Sequence, residues 1–252
     1  MKIAVITGAS SGMGKEFLIK LDKRERFEEL WLIARRKDRL EEIGKLTNAP
    51  VRAISLDLCD STSLKDYKAM LEEFKPDVKV LVNASGFGRF GAFEDISLED
   101  QLSMIDLNDK ALVSMTYLTL PYMKEGGEIF QIDSLSSFQP VPYIGVYGAT
   151  KAFVLSFSRA LGVELKKRGI RVMAVCPGWV RTEFFDRAVT DDTITYYNKF
   201  FESDEVVRRA LSDMKKGRDV SVCGASIRAQ VFFTKLLPHR LVMKIWCKQQ
   251  KK

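Results

Sequence analysis

The sequence is poor in the residues that build metal centres and disulfide frameworks. Its only histidine is His239, and its four cysteines, Cys59, Cys176, Cys223 and Cys247, show no Cys-x-x-Cys spacing. Structural zinc sites and disulfide-rich domains need several such residues at close, regular spacing. We therefore expect no metal site, and we expect the thiols to be reduced.

Long apolar runs are also missing. No stretch reaches the ~18 continuous apolar residues of a membrane-spanning helix, and the apolar run before Gly8 is too short for a signal peptide. With 46% apolar residues, a chain of 252 residues can bury one sizeable core. We expect a single-domain cytoplasmic protein with no nucleic-acid partner.

Acidic residues are absent from the segment 226–252. Seven of the 40 basic residues lie there and none of the 33 acidic ones, so the whole net charge of +7 belongs to this segment. It is also rich in large apolar residues, and Pro238 divides it into two short parts. Such a segment can lie in a membrane interface with its cations on anionic lipid, or it can pack on the body or a second subunit.

A glycine-rich turn follows the first predicted strand. Residues 2–7 are a short β-branched run typical of a buried parallel strand, and the turn after them leads into a helix. This arrangement directs backbone N–H groups and the positive end of a helix at one point, and glycine permits close approach of a ligand. The sequence therefore predicts a pyrophosphate site made by Gly8, Ser10, Ser11, Gly12, Met13 and Gly14.

The ends of the next two predicted strands suggest how the adenosine part is bound. The strand 29–34 ends on Arg35 and Arg36, with no acidic residue for a ribose hydroxyl, which favours NADP(H) over NAD. A third strand, 51–56, ends at Asp57 and Leu58. Asp57 is predicted either to bind the adenine amine or to cap the helix that starts near residue 61.

A fourth strand, 78–82, leads into the small residues Asn83, Ala84, Ser85 and Gly86, which would let a cofactor lie against the sheet. The glycine and aromatic residues of 86–93 either form the floor of an apolar pocket or form a packed turn.

Asn108 falls within the apolar pattern of a long predicted helix, 98–123. A buried amide needs hydrogen bonds, so Asn108 is either a structural kink or part of a proton path.

A hydroxyl, a phenol and an ammonium lie close together in the segment 134–151. A fifth strand, 128–133, delivers Ser134 at its carboxyl end, where open α/β sheets bind ligands. Tyr147 and Lys151 are four residues apart at the start of a helix, so they share one face. A nearby ammonium lowers the pKa of a phenol from about 10, which would suit Tyr147 to acid/base chemistry.

Strand and helix alternate along the chain. A sixth strand, 170–175, follows the helix that begins near Tyr147, and a last strand is expected at 219–223. This pattern predicts an α/β fold of the Rossmann-like, doubly wound type, with one parallel sheet in three layers. An irregular aromatic segment at about 183–205 is predicted to be a substrate lid. The expected domain is thus 1–225, followed by the basic apolar segment 226–252.

Six motifs in order resemble the short-chain dehydrogenase/reductase family. They are Thr-Gly-x-x-x-Gly-x-Gly at 7–14, Asn-Ala-x-Gly at 83–86, Asn108, Ser134 thirteen residues before Tyr147, Tyr-x-x-x-Lys at 147–151 and Pro-Gly-x-Val-x-Thr at 177–182. The resemblance covers residues 2–225. It implies a catalytic tetrad of Asn108, Ser134, Tyr147 and Lys151. It also implies cofactor contacts from Tyr147, Lys151, Pro177, Gly178, Val180 and Thr182, with Thr182 at the nicotinamide carboxamide.

The resemblance implies an NADP(H)-dependent oxidoreductase that interconverts a ketone and a secondary alcohol. Phe138, Tyr143 and the aromatic residues of 183–203 would surround the reacting carbon, which suits a bulky hydrophobic substrate such as a hydroxysteroid. The alternatives are a 3-ketoacyl thioester reductase and a non-catalytic NADP-sensing protein on the same fold. Family likeness further implies a homodimer or homotetramer built on the helices that carry Asn108 and Tyr147.

Overall fold

The structure is a computed structural model that describes residues 1–189 and 191–252. Its centre is a seven-stranded parallel sheet in the order β3-β2-β1-β4-β5-β6-β9. The strands of this sheet are β1 Lys2–Thr7, β2 Glu29–Ala34, β3 Val51–Ser55, β4 Asp77–Asn83, β5 Glu128–Ile132, β6 Arg171–Val175 and β9 Val220–Ser221. A separate two-stranded sheet pairs β7 Trp179–Val180 with β8 Phe200–Phe201.

Ten α-helices are present in the described part of the chain. They are α1 Gly12–Arg24, α2 Lys37–Gly44, α3 Ser61–Phe74, α4 Leu98–Ile105, α5 Ala111–Thr119, α6 Gly145–Glu164, α7 Phe184–Ala188, α8 Ser203–Lys215, α9 Ala225–Leu236 and α10 His239–Gln249. A π-helix, Asp106–Lys110, joins α4 to α5, and 3₁₀ turns lie at Leu120–Tyr122, Leu135–Phe138 and Leu165–Arg168.

The helices cover both faces of the sheet. On one face, α1, α2, α8 and α9 enclose a core that includes Phe17, Leu40, Val207 and Ile227. On the other face, α3, α5 and α6 enclose a second core that includes Tyr67, Met115 and Leu161. The strands between them carry near-continuous buried apolar residues, as parallel strands with two covered faces do. The predicted doubly wound, three-layer, single-domain fold is confirmed.

Several predicted boundaries differ from the structure. The helix expected at 98–123 is interrupted at Asp106–Lys110 by a π-helical turn, in which backbone hydrogen bonds join residues i and i+5. This turn contains Asn108. The helix of Tyr147 begins earlier, at Gly145, and the last strand is shorter than 219–223. The segment at about 183–205 is partly ordered by α7 and by the pairing of β7 with β8, a contact that local sequence patterns do not reveal.

The segment 226–252 packs against the body of the same chain. The indole of Trp246 donates a hydrogen bond to the Pro142 carbonyl oxygen (3.0 Å). The buried Gln250 accepts hydrogen bonds from the backbone N–H groups of Thr195 and Tyr196 (3.0 and 2.9 Å) and donates one to the Tyr196 carbonyl oxygen (3.1 Å). These contacts tie α10 to the lid segment. None of the helices in the described residues is long and apolar enough to span a bilayer.

Candidate active site

A cavity of about 980 Å³ lies at the carboxyl edge of the large sheet. Most of the predicted site residues line it, namely Gly8, Ser10, Ser11, Gly12, Met13, Gly14, Arg35, Arg36, Asp57, Leu58, Ala84, Ser85, Gly86, Ser134, Tyr147, Lys151, Pro177, Gly178, Val180 and Thr182. This is the crevice in which open α/β sheets bind their ligands, beside the switch point between β1 and β4. Asn83 and Asn108 lie behind the cavity wall.

The glycine-rich turn has the close packing that a dinucleotide cradle requires. Gly8 has a positive φ of 64°, and a Cβ at this position would lie 2.7 Å from the Ala84 backbone. A Cβ at Gly14 would lie 2.3 Å from the Gly8 carbonyl oxygen. The side chain of Ser11, the residue before α1, makes no cap hydrogen bond, so the first N–H groups of α1 are available to a ligand. The turn therefore fits a pyrophosphate.

An ion-pair bridge spans the adenosine end of the cavity. The Glu183 carboxylate lies 3.3 Å from Nη2 of Arg36 and 2.7 Å from Nη1 of Arg39. Hydrogen bonds from Arg39 and Arg36 hold the pKa of Glu183 below its usual range. Arg36 Nη2 also lies 3.5 Å from the Ser10 hydroxyl, close to the glycine turn. Sequence reasoning missed Glu183, because it lies far from the arginines along the chain.

The two interpretations of Asp57 can now be separated. The cap of α3 is Asp60, whose side chain accepts a hydrogen bond from the Thr62 N–H (2.9 Å). Asp57 instead accepts from the Cys59 N–H (3.0 Å) and lines the cavity. The helix-cap interpretation is therefore wrong, and Asp57 remains a candidate adenine contact.

The two asparagines are held by protein groups. Asn108 is fully buried, accepts from the Phe87 N–H (3.1 Å), and donates to the Phe87 carbonyl (2.9 Å) and the Thr150 hydroxyl (3.1 Å). It thereby joins the loop after β4 to α6. Asn83 donates to the side chains of Thr116 and Gln131 (3.0 and 2.8 Å). Asn83 therefore ties β4 to its neighbours behind the cavity.

Ser134, Tyr147 and Lys151 meet on the cavity floor. The Ser134 Oγ accepts from the Ser136 N–H (3.2 Å), which orients the residue at the end of β5. Lys151 is buried, donates to the Ile132 carbonyl (2.9 Å), and its Nζ lies 5.6 Å from the centroid of the Tyr147 ring. Ser134 follows the carboxyl end of β5, and Tyr147 and Lys151 lie one turn apart on α6. All three groups therefore reach the cavity floor.

The pKa of Tyr147 differs from the sequence-based expectation. Burial raises the pKa of this phenol, and the hydrogen-bonding Ser134 acts in the opposite direction without overcoming it. The negative charge of Asp133 adds to the increase. The expected lowering by Lys151 is therefore not seen, because desolvation of the phenolate dominates. Tyr147 carries its proton at neutral pH.

Two carboxyl groups near Lys151 were not expected from the sequence. Burial raises the pKa of Asp133 to about 7, and the charge of Lys151 opposes this shift. Asp109 also has a pKa raised to about 7, again by burial and against Lys151. In the described part of the chain, Oδ1 of each aspartate is buried without a hydrogen-bond partner. Burial in turn lowers the pKa of Lys151, with Asp133 and Asp109 opposing it.

The opposite wall of the cavity is apolar and aromatic. Its residues come from the loop after β4, the turn before α6, the lid and the last two helices, and include Phe87, Phe90, Val141, Ile144, Trp179, Phe184, Phe185, Phe233, Leu237, Val242, Ile245 and Trp246. The Tyr147 ring lies 5.5 Å from that of Phe184 and 6.2 Å from that of Phe90, measured between centroids.

Two aromatic residues expected in this wall lie elsewhere. Phe138 is covered by Lys235, whose Nζ is 5.2 Å from the ring centroid, and Tyr143 contacts Lys252 in the same way at 5.7 Å. Neither residue lines the cavity. The segment after residue 225 supplies aromatic and aliphatic groups in their place, which no local motif in that segment indicates.

Comparison with known proteins shows the family of this chain. The family model described as short chain dehydrogenase matches residues 2–193. A sulfoacetaldehyde reductase of Chromohalobacter salexigens is 36% identical over 192 residues, covering 72% of this chain and 74% of that protein.

Two solved structures have the same fold over nearly the whole chain. A short-chain dehydrogenase from Sphingobium yanoikuyae in complex with NADPH is 30% identical, with a TM-score of 0.80 over 97% of this chain and 96% of that one. An alcohol dehydrogenase from Comamonas testosteroni, specific for bulky-bulky ketones, is 26% identical, with a TM-score of 0.75 over 94% and 92% of the two chains. The protein is a nicotinamide-dependent oxidoreductase that belongs to the short-chain dehydrogenase family.

Proposed function

We propose that the protein interconverts a bulky hydrophobic ketone, such as an oxosteroid, and the corresponding secondary alcohol, with NADP(H) as cofactor. The observation that supports this most directly is the position of the Tyr147 phenol beside Ser134 in a cavity whose opposite wall is apolar. A proton donor and a hydrogen-bond donor at one point suit a carbonyl oxygen, and the apolar wall suits the groups on either side of it.

The residues divide the chemistry between them. The glycine turn and the carboxyl ends of β1, β2 and β4 would hold NADPH, which would supply the hydride. The Ser134 hydroxyl donates a hydrogen bond to the substrate oxygen, and Tyr147 gives that oxygen its proton. Lys151 holds a positive charge behind the phenol, which stabilises the phenolate left by proton transfer. Asn108 acts as a positioning residue that fixes the Phe87 backbone and α6.

The preference for NADP(H) rests on the charge at the end of β2. Arg35 and Arg36 line the cavity there, and neither position offers a carboxylate to a ribose 2′-hydroxyl. Arginine pairs well with phosphate, and a charge-assisted contact contributes roughly 1.5–3 kcal/mol. The NADPH complex of the Sphingobium relative is consistent with this assignment.

The substrate class rests on the size and lining of the cavity. Seven aromatic side chains and several aliphatic ones form one wall of the cavity, which suits a large hydrophobic substrate, while polar groups such as Arg187, Asn198 and Gln230 also line it. The Comamonas relative is specific for bulky-bulky ketones. A 3-ketoacyl thioester would present a comparable apolar chain. The Chromohalobacter relative is a sulfoacetaldehyde reductase, so a small polar aldehyde is the contrasting substrate for a test.

We also propose that the chain assembles as a homodimer or homotetramer through α4 and α6. The outer faces of these helices carry exposed apolar side chains, Leu98, Leu102 and Ile105 on or at the end of α4 and Phe153 and Val163 on α6. Exposed apolar side chains on two helices that pack together, as α4 and α6 do, are typical of protein–protein interfaces. Localisation in the cytoplasm remains a prediction.

The function is tested with NADPH and a panel containing an oxosteroid, a 3-ketoacyl thioester and sulfoacetaldehyde. We expect the highest kcat/KM for the oxosteroid and a loss of about 10²–10⁴-fold in Tyr147→Phe, because the proton donor is removed. Tyr117→Phe, at an exposed tyrosine on α5, is the matched control. Best turnover of sulfoacetaldehyde would reject the substrate class. NADPH binding with no turnover of any carbonyl would favour the non-catalytic sensor instead.

A further inference from the structure

The last two helices have an inner and an outer face. On α9, the side chains of Ile227, Val231 and Thr234 are buried against the body. On α10, Val242 is buried and Trp246 is half-buried, and Gln250, the residue that follows the helix, is buried. Each set recurs at helical spacing, so one row of each helix packs inward. The opposite rows face outward.

The outward rows are strongly apolar. Phe232, Phe233 and Leu236 are 58–65% exposed, and they are followed by the exposed Leu237, Leu241 and Ile245. The Phe232 and Phe233 rings lie 5.7 Å apart in an edge arrangement. We call these six side chains the tail patch. Singly exposed apolar residues are ordinary, but six on one pair of helices mark an interaction surface.

The tail patch is interleaved with cations only. Lys235, Arg240, Lys244 and Lys248 are exposed on the same two helices, and residues 226–252 contain no acidic residue. Within the residues that the structure describes, none of these four cations forms a salt bridge. On α10, Leu241, Lys244, Ile245 and Lys248 share one face at helical spacing. Apolar groups and cations without salt bridges therefore project together, and Lys235 also lies over the Phe138 ring at 5.2 Å from its centroid.

We propose that the tail patch docks on the surface of an anionic lipid bilayer. An amphipathic helix pair with aromatic and aliphatic side chains between cations matches the interfacial layer, where apolar groups enter the headgroup region and cations meet anionic lipid. A second copy of the same face fits less well, because a twofold contact would bring its unpaired cations together. The separate apolar face on α4 and α6 offers subunits a surface without that concentration of charge.

The patch adjoins the substrate cavity. Phe233, Leu237 and Ile245 belong to both, since each lines the cavity and is also exposed. Docking would therefore turn this rim of the cavity toward the lipid. If the substrate is a hydrophobic carbonyl, a point that rests on the proposed function, it would pass between bilayer and cavity along an apolar rim.

Docking is tested by co-sedimentation of the full-length protein with vesicles of phosphatidylcholine containing phosphatidylglycerol. We expect binding that weakens with salt and with removal of phosphatidylglycerol. The triple variant Phe232→Ser, Leu236→Ser, Leu241→Ser should lower the partition coefficient about tenfold or more, because its three sites are exposed and do not line the cavity. The matched control, Leu46→Ser with Phe93→Ser at two exposed apolar residues outside the cavity and outside α4 and α6, should leave vesicle binding unchanged.

The charge component has its own pair of variants. Lys244→Gln with Lys248→Gln should lower binding to anionic vesicles about tenfold, since each cation near such a surface contributes to binding. Lys166→Gln with Lys167→Gln, at two exposed lysines after α6, is the control with the same net charge. Equal loss in both double variants would show a non-specific charge effect and overturn the proposal.

Three further outcomes decide whether the tail patch binds a bilayer or a second copy of the chain. Wild-type protein that does not sediment with anionic vesicles overturns the proposal. A tail-patch variant that changes the oligomeric mass in light scattering, with vesicle binding unchanged, assigns the patch to a second copy and also overturns it. Unchanged turnover of a water-soluble ketone by the tail-patch variant, together with lost sedimentation, supports docking. Vesicle binding does not depend on turnover, so the failure of the proposed substrate class would leave this result standing.

Discussion

The two ends of strand β5 treat a buried carboxylate in opposite ways. At the amino end, Glu128 is buried between two arginines: its Oε1 accepts a hydrogen bond from Arg171 Nη2 (2.7 Å), and its Oε2, which has no hydrogen-bond partner in the described residues, forms an ion pair with Arg24 Nη2 at 2.7 Å. Just beyond the carboxyl end, Asp133 accepts a hydrogen bond from the Cys176 thiol (3.1 Å) on Oδ2, no arginine or lysine forms a salt bridge with it in the described residues, and its Oδ1 is buried there without a hydrogen-bond partner. The strand is the same, but only one of its carboxylates is neutralised by adjacent ion pairs.

The same contrast extends to the neighbouring elements. Asp213, near the end of α8, is buried and accepts hydrogen bonds from Arg209, Arg218 and the Ser221 hydroxyl at 2.8–2.9 Å. Buried charges normally need such partners, and leaving one without them costs free energy. At the carboxyl edge this cost is present at Asp133 and Asp109, next to Lys151. A buried charged group that lacks partners within the protein is typical of sites that bind ligands or transfer protons.

The first prediction removes the cation at the carboxyl edge. Lys151→Met should lower kcat/KM by on the order of 10²-fold or more, because the positive charge that stabilises the Tyr147 phenolate is lost. It should also raise the pKa values of Asp133 and Asp109 further, since Lys151 is the charge that lowers them. Steady-state kinetics measure the first effect and carboxyl NMR titration the second.

Lys166→Met, at an exposed lysine, is the control for this variant and should leave both quantities unchanged. If Lys151→Met kept wild-type kcat/KM, the reaction would not take place at the carboxyl edge. The difference between the ion-paired Glu128 and Asp133 would then have no relation to catalysis.

The second prediction addresses the amino end of β5. Glu128→Gln should lower the free energy of unfolding by about 2–3 kcal/mol, because it weakens two charge-assisted contacts and leaves Arg24 without its buried partner. The kcat/KM of the folded protein should not change. Urea unfolding gives the first quantity, with Glu164→Gln at an exposed position as control. A loss of activity without a loss of stability would contradict the assignment of this end to folding.

The third prediction uses the pKa of Asp133. Because its folded pKa is raised to about 7 from an ordinary value near 3.9, the folded state holds a proton that the unfolded chain has lost over this range. Asp133 therefore lowers stability progressively as the pH rises from about 4 to about 7. The stability advantage of Asp133→Asn over wild type should grow across that window, reaching roughly 1–3 kcal/mol.

Urea unfolding at several pH values measures this difference. Glu128→Gln, the counterpart at the other end of β5, should show a loss of stability at neutral pH rather than a gain. A difference between Asp133→Asn and wild type that does not vary with pH would show that Asp133 is ionised throughout and held by contacts other than those described.

The smallest predicted effect concerns an exposed charge. Arg35→Asp should shift the ratio of NADPH to NADH affinity toward NADH by about tenfold, because a phosphate contact is replaced by charge repulsion and a hydroxyl acceptor. Stability should change little, since Arg35 is exposed. Fluorescence titration with both cofactors measures the ratio. Lys37→Asp, a similar change outside the cavity, is the control. Equal affinity of wild type for NADH and NADPH would disprove the assignment.

Local patterns predicted the fold and much of the cavity lining. Buried β-branched runs alternate with helices, and glycine turns or short polar runs end each strand, so the sheet edge that gathers Gly12, Ser134 and Tyr147 follows from topology alone. The direction of the Tyr147 pKa shift did not follow, because it depends on burial by distant segments such as α7. The pKa of a side chain is a property of its surroundings, and those are assembled from the whole chain.

Other features escaped prediction for the same physical reason. Glu183 pairs with Arg36 and Arg39, which lie 147 and 144 positions earlier in the chain, and Trp246 donates to the Pro142 carbonyl oxygen 104 positions away. The π-helical turn around Asn108 differs from an α-helix by one hydrogen-bond step, which apolar periodicity does not resolve. Contacts between segments far apart in the chain decided each of these details.

The hydrogen bonds of Gln250 protect two backbone amides, whose hydrogen exchange can therefore report on the contact between the end of the chain and the lid segment. The N–H groups of Thr195 and Tyr196 both point at the one side-chain oxygen of Gln250. They exchange with solvent deuterium when these hydrogen bonds break, as happens when the segment after α10 moves away from the lid segment. The exchange rates of these two amides therefore report on the contact between the end of the chain and the lid, without a label and without a substrate.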